Sequence, residues 1–348
     1  MQYRLFVSGY TDDSTQEGVV IAIFDGNRLR KTGGLKGLRN PSYIQPGDGK
    51  IYIVEETRET AKISCAAYQI DGRLDLLWRR TVPGSGLCHV ASAGSYLFAA
   101  GYSGGTLTGV HKDSGEKVFF REFYGHGPNL QRQEKAHIHS ALLSPDGTRI
   151  IAADLGTDRL YQFILEESGT LREDNPFWFQ VAGGTGPRHF AFHPNGKWVY
   201  LVGELDLSLT VLLYEEHQLK QVGKYSLGVK GGDESLLAAD VHVTADGEFV
   251  YTSVRGLDVI HGFHVREDSG VLEPIGSTPS GGKCPRSIAI SPDDRYVAVA
   301  NQLSNEIIVF QRDLKSGEII RDVCHMCFPQ VSCVKWEYEE NRRAVHSV

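Results

Sequence analysis

The sequence predicts an all-β fold: a seven-bladed β-propeller with four antiparallel strands per blade, its ring closed by N- and C-terminal strands sharing one blade. Three observations predict it. A strand–turn–strand motif recurs along the chain. Its period is near 50 residues. The two chain ends carry the strand patterns that the repeats leave over.

The motif is an apolar strand, Pro-Asp-Gly or a relative, and a second apolar strand. Four copies are clear: Leu142 to Ala153, Phe190 to Leu201, Val241 to Thr252 and Ile288 to Val299. Two earlier copies, Tyr43 to Val54 and Val90 to Ala100, are degenerate. Asp-Gly and Asn-Gly suit this turn because a tight hairpin needs positive φ. The turn residues Gly49, Gly94, Gly147, Gly196, Gly247 and Asp294 recur at spacings of 45 to 53. A third apolar run follows each hairpin, as in Arg159 to Leu165 or Glu306 to Phe310, and then a Gly-bearing turn and a fourth strand. Six markers give six blades. Val331 to Tyr338 reads as an inner strand without partners, and residues 3–33 supply them. Such closure removes the sheet edges that an open ring would expose. Residues 1–338 are thus one propeller, and 339–348 form a polar tail expected to fray.

Composition narrows the function. Thirty-six basic against 43 acidic residues give a net charge of −7, and no basic stripe stands out. Nucleic acid is therefore not an expected partner. A few local arginines can still bind a small anion. No apolar run approaches the ~18 residues of a membrane span. The N-terminus reads as a strand rather than a signal peptide, so a cytoplasmic location is expected. Six cysteines in 348 residues are no disulfide framework, and the Cys324/Cys327 pair lacks a second pair to complete a zinc site. No cofactor and no metal are called for, and a monomer or weak homo-oligomer is expected.

Propeller geometry places the site before any chemistry is considered. Residues just before each inner strand and just after each second strand meet at one mouth of the channel. There stand His137 and His139, Arg188 and His189, Asp240, and Arg286. Eight residues beyond three turn markers come Glu204, Arg255 and Gln302. One such residue alone is usually a solvated group or a structural ion pair. Their convergence from blades three to six marks a site.

With these residues the chain resembles the seven-bladed lactonase family, which includes the bacterial propeller-type 6-phosphogluconolactonases and the carboxy-muconate lactonizing enzymes. The resemblance rests on Gly127-Pro-Asn-Leu-Gln-Arg-Gln-Glu-Lys-Ala-His-Ile-His139, Asp154 to Asp158, Gly186-Pro-Arg-His to Gly196, Gly203 to Asp206, Arg255-Gly-Leu-Asp258 and Pro285-Arg286 to Gln302. It spans nearly the whole chain and is most specific in blades three to six. It implies hydrolysis of a sugar-derived lactone, foremost 6-phosphoglucono-δ-lactone, and functional roles for His137 or His139, Arg188, Glu204 and Arg255. Val254 and Leu257 stand where the family often has polar residues, and Ile138 replaces a frequent proline. The Leu257 change touches substrate identity more than reaction class.

Lactone opening needs a base for water, charge for the oxyanion and a proton for the departing ring oxygen. His139 or Glu204 is the expected base, and Arg188 the expected oxyanion partner. Arg255 and Arg286 are expected to hold a phosphate or carboxylate. His137, His189, Asn129, Arg132, Asp240 and Gln302 are secondary candidates for substrate contacts. Gly101-Tyr-Ser-Gly-Gly105 spells a nucleophile elbow, but a β-rich run follows it where a helix is required, so Ser103 reads as a turn residue. Two alternatives stand beside hydrolysis: a muconate-type cycloisomerase, and a non-catalytic scaffold, which would show aromatic residues at the mouth rather than His, Arg and Glu.

Overall fold

The computed structural model describes residues 2–11, 15–229 and 231–337. The tail expected at 339–348 lies outside them. Seven antiparallel sheets of four strands each form the ring. Blades one to six take residues 43–82, 87–122, 138–180, 187–226, 237–279 and 285–327. In the seventh, Val331–Trp336 is the inner strand and pairs with Tyr3–Gly9; Val19–Phe24 and Leu29–Leu35 complete the blade.

The closing blade is held by aromatic packing as well as by strand pairing. Phe24 lies 4.9 Å from Tyr296 of blade six, edge to face, and Trp336 Nε1 donates to the Ala289 carbonyl at 3.0 Å. Tyr3 OH donates to Asp293 at 2.5 Å. Burying an aromatic ring such as that of Phe24 contributes ~2 kcal/mol or more, so these rings fasten the chain ends. Elsewhere the core lies between the faces of neighbouring blades, built from alternating apolar residues of the three inner strands.

The turn markers all have positive φ. Asp294, which replaces glycine, adopts φ 59° and uses its carboxylate to accept from the Ala245 backbone N–H at 3.0 Å. The lost glycine is thus compensated by a tie to the turn of the preceding blade.

One local irregularity positions the site. Where the inner strand begins, all blades but the first carry one residue more than the paired second strand. Register shifts fall between Leu87 and His89, Ile138 and Ser140, Pro187 and Phe190, Ala238 and Val241, and Pro285 and Ser287. A β-bulge turns its extra side chain off the alternating pattern. The displaced residues are Cys88, His139, Arg188 with His189, Ala239 with Asp240, Arg286 and, in the closing blade, Ser332. Five of the expected site residues, His139, Arg188, His189, Asp240 and Arg286, stand at these bulges.

Candidate active site

Glu204 is the centre of the site. It ends the second strand of blade four, where its backbone N–H bonds the Gly186 carbonyl at 2.9 Å. Its carboxylate is 2% exposed and meets three arginines. Arg188 Nε is 2.8 Å and Arg255 Nη2 2.9 Å from Oε2; Arg132 Nη2 is 2.5 Å from Oε1. Arg188 also donates to the Ala239 carbonyl and Arg255 to that of Ala238. Burial alone would raise the Glu204 pKa. Arg255, Arg188 and Arg132 outweigh it and hold the carboxyl well below the usual carboxylate range. A carboxylate so stabilised is a poor proton acceptor. Of the two expected bases, the geometry therefore favours His139.

His139 Nε2 lies 3.9 Å from the same Oε2, beyond hydrogen-bond reach. Its Nδ1 faces the Cys88 thiol at 3.9 Å, and its ring meets that of Tyr102 edge to face. Burial, then the charge of Arg188, push its pKa well below the ordinary histidine value. The ring is neutral at pH 7 and keeps a nitrogen free for water.

Arg132 reaches Glu204 from the loop before blade three. Asn129 builds that loop: its Oδ1 accepts from the backbone N–H groups of Gln131 and Arg132 at 3.1 Å. Asn129 thus serves the loop rather than the centre. His137 is also occupied. It stacks on Tyr102, its Nδ1 bonds the Tyr102 carbonyl at 2.9 Å, and its Nε2 meets Glu134 at 3.2 Å. Gln302 sits beside Cys284 and Gln330. Arg286 lies at the same mouth, where Nη2 donates to Tyr10 OH at 3.0 Å and Tyr10 donates to Glu56 at 2.7 Å. His189 and Asp240 pair with each other at 2.8 Å, at the start of the channel's inner strands.

Asp154 ends the second strand of blade three, and Asp158 lies in the turn that follows it. Asp158 accepts from the Gly184 and Gly186 N–H groups at 2.8 and 2.7 Å and so fixes the start of the strand that carries Arg188. Asp258 does the same at Cys284, ahead of Arg286. Ser103 lies in a turn between strands, without the helix of a nucleophile elbow. Among the described residues no group of His, Cys, Asp or Glu is arranged to hold a metal ion, and Cys324 and Cys327 lie on an outer strand.

Tyr102, Tyr10, Glu56 and Cys88 were missed from sequence. Tyr102 had a signal: it stands eight residues after Gly94, the offset that found Glu204 and Arg255. Cys88 occupies the place of His139 and Arg286 in its own repeat, but blade two is too degenerate to show it.

Residues 4–336 match the family described as "Lactonase, 7-bladed beta-propeller". The chain belongs to this lactonase family. A 6-phosphogluconolactonase of Formosa agariphila is 31% identical over 334 residues, covering 90% of this chain and 94% of the relative. The 6-phosphogluconolactonase of Bacillus subtilis is 30% identical over 313 residues, covering 87% and 88%. The periplasmic gluconolactonase PpgL of Pseudomonas aeruginosa superposes with a TM-score of 0.89 at 27% identity, over 97% of this chain and 99% of that one.

The buried imidazoles of this lactonase-family protein predict acid sensitivity. Burial pushes the pKa of His89 and His139 well below the ordinary value and that of His189 to about 4. In the unfolded chain all three bind protons below pH ~6.5. Between that pH and ~4 the unfolded state therefore holds more protons, and stability falls as pH falls. The depressed carboxylates Glu204 and Asp240 add their loss only below ~4. Urea unfolding at pH 7, 6 and 5 is expected to show a steady loss, smaller in His89→Gln. Equal stability at all three pH values would contradict neutral burial.

Proposed function

We propose that this protein hydrolyses 6-phosphoglucono-δ-lactone to 6-phosphogluconate, in the cytoplasm. The observation that carries the reading is the cluster at Glu204: three guanidinium groups around one carboxylate, with a neutral imidazole nitrogen 3.9 Å from the same oxygen. The cluster keeps a surplus of positive charge, which suits an anionic substrate and a reaction that develops negative charge.

His139 takes a proton from the attacking water as its oxygen bonds the lactone carbonyl. Arg188 and Arg255, both on Oε2 beside that imidazole, stabilise the oxyanion. The imidazolium returns the proton to the ring oxygen as the C–O bond breaks, and the product ionises to a carboxylate. Glu204 is assigned to positioning. Arg255 thus moves from the expected phosphate contact to the oxyanion. Arg132, a third exposed and on a loop, takes up the phosphate with Arg286. The two named 6-phosphogluconolactonases support the substrate. The six cysteines, all unpaired, support a reducing compartment.

The test is proton release from fresh 6-phosphoglucono-δ-lactone in weak, mildly acidic buffer, with the spontaneous rate subtracted. A rate far above background that falls by about 10² or more in Arg188→Ala is expected. Folded protein without acceleration on this substrate would overturn the assignment.

A further inference from the structure

Beneath the Glu204 cluster the channel opens into a cavity of about 240 Å³ that the proposed reaction does not use. Tyr43, His89, His189, Asp240, His242 and Lys335 line it, together with apolar groups such as Ala191. We propose that this cavity is a second binding site, for a small oxyanion that also carries an O–H group: hydrogen phosphate or a hydroxy-carboxylate.

Two side chains ask for such a ligand. The first is Lys335, on the inner strand of the closing blade. Its ammonium stands 4.9 Å from the centre of the Tyr43 ring. Among the described residues no carboxylate lies within 4 Å of it to form a salt bridge, and it keeps solvent-accessible surface although blades surround it. The Tyr43 hydroxyl and the more distant charge of Asp240 also favour its ammonium form, but a cation enclosed by protein with no carboxylate in contact is an incomplete pair.

The second is His189. Its Nδ1 bonds Asp240, and its Nε2 is buried without a partner. With Asp240 ionised, the Nδ1 proton points to the carboxylate and Nε2 is left as an acceptor. It needs a donor, and an O–H group supplies one. A buried polar atom left unpaired is destabilising, and a ligand that pairs it recovers that cost.

Asp240 does not repel the anion strongly, because its charge is already engaged. Oδ1 receives the His189 ring and the Val241 N–H, and Oδ2 receives the Ile288 N–H at 3.1 Å. His242 Nε2 stands 3.4 Å from Oδ2. Lys335 disfavours a metal cation. What the cavity leaves open is a cation without a contacting carboxylate and one acceptor, and an oxyanion bearing a proton matches both. Apolar walls from Leu142, Phe190, Phe192 and Val241 limit its size.

The site stands apart from the catalytic reading, since Lys335 has no part in the Glu204 cluster. Calorimetric titration with inorganic phosphate, and separately with D-gluconate, tests it and separates the two ligand sources. Wild type and Arg132→Ala are expected to bind at least one of them at the lower site. Lys335→Met is expected to bind about tenfold to hundredfold more weakly, the loss of one charge-assisted hydrogen bond. Ala191→Phe, which fills the cavity and leaves Lys335 in place, is expected to weaken binding as well. Turnover of saturating lactone by Lys335→Met should stay close to wild type. In wild-type protein labelled with [15N]histidine, the His189 Nε2 resonance should shift on adding the bound ligand, so that a folding failure in a variant does not remove the test. Unchanged binding in folded Lys335→Met and Ala191→Phe, or a wild-type His189 resonance that moves with neither ligand, would overturn the proposal.

Discussion

Glu204→Gln is expected to be the most damaging single substitution in the molecule. The carboxylate is buried and shared by Arg188, Arg255 and Arg132. Glutamine nearly preserves the shape and removes the charge. Arg188, 2% exposed, and Arg255 are then left as buried cations without their counter-ion. Removing one partner of a buried pair costs about 3–5 kcal/mol, because the other charge stays desolvated. Urea unfolding measures this. Activity should fall by about 10² or more, as the arginines lose the group that aims them. Arg132→Ala provides the contrast. Its side chain is one-third exposed, so stability should stay near wild type while KM for the phosphorylated lactone rises. A Glu204→Gln protein as stable as wild type would mean that the arginines have another counter-charge.

His139→Gln should lower kcat by about 10²–10⁴ and leave KM nearly unchanged, the range for losing a general base. The pH profile gives a sharper check. The base must be neutral, so kcat/KM is lost as pH falls through the folded-state pKa of His139. Burial and Arg188 press that pKa well below the ordinary value, so the profile should be flat from pH 8 to 6, with its acid limb lower. Removing the nearby positive charge in Arg188→Met should raise the pKa and move the limb upward, alongside the loss in rate. Full turnover in His139→Gln, or a limb that stays in place in Arg188→Met, would send the search for the base elsewhere.

The distinction between His137 and His139 shows how far the sequence reads. Both precede or open the same inner strand, and strand alternation places them on one face. The sequence named His139 as a candidate base and His137 as a secondary contact, but left open which of the two acts. The structure separates them because His137 lies just before the strand, with its N–H bonded to Asp154, whereas His139 is the extra residue of a bulge. A bulge depends on pairing with a distant strand. Its register is therefore invisible in a local pattern.

The sequence by itself determined the blade count and the ring closure, and it placed the candidate site residues at one mouth of the channel. Those follow from local chemistry: alternating apolar strands, turns that accept positive φ, and a regular repeat of both. Glu204, Arg188 and Arg255 were legible as residues for the same reason, since each stands at a fixed offset from a turn. Only the tertiary structure decided that Arg188 and Arg255, with Arg132, meet on the Glu204 carboxylate. That meeting weighs against Glu204 as the base, because the field of several guanidinium groups lowers its proton affinity. Such a field is the sum over residues from different blades. It exists only once the ring has closed around the channel.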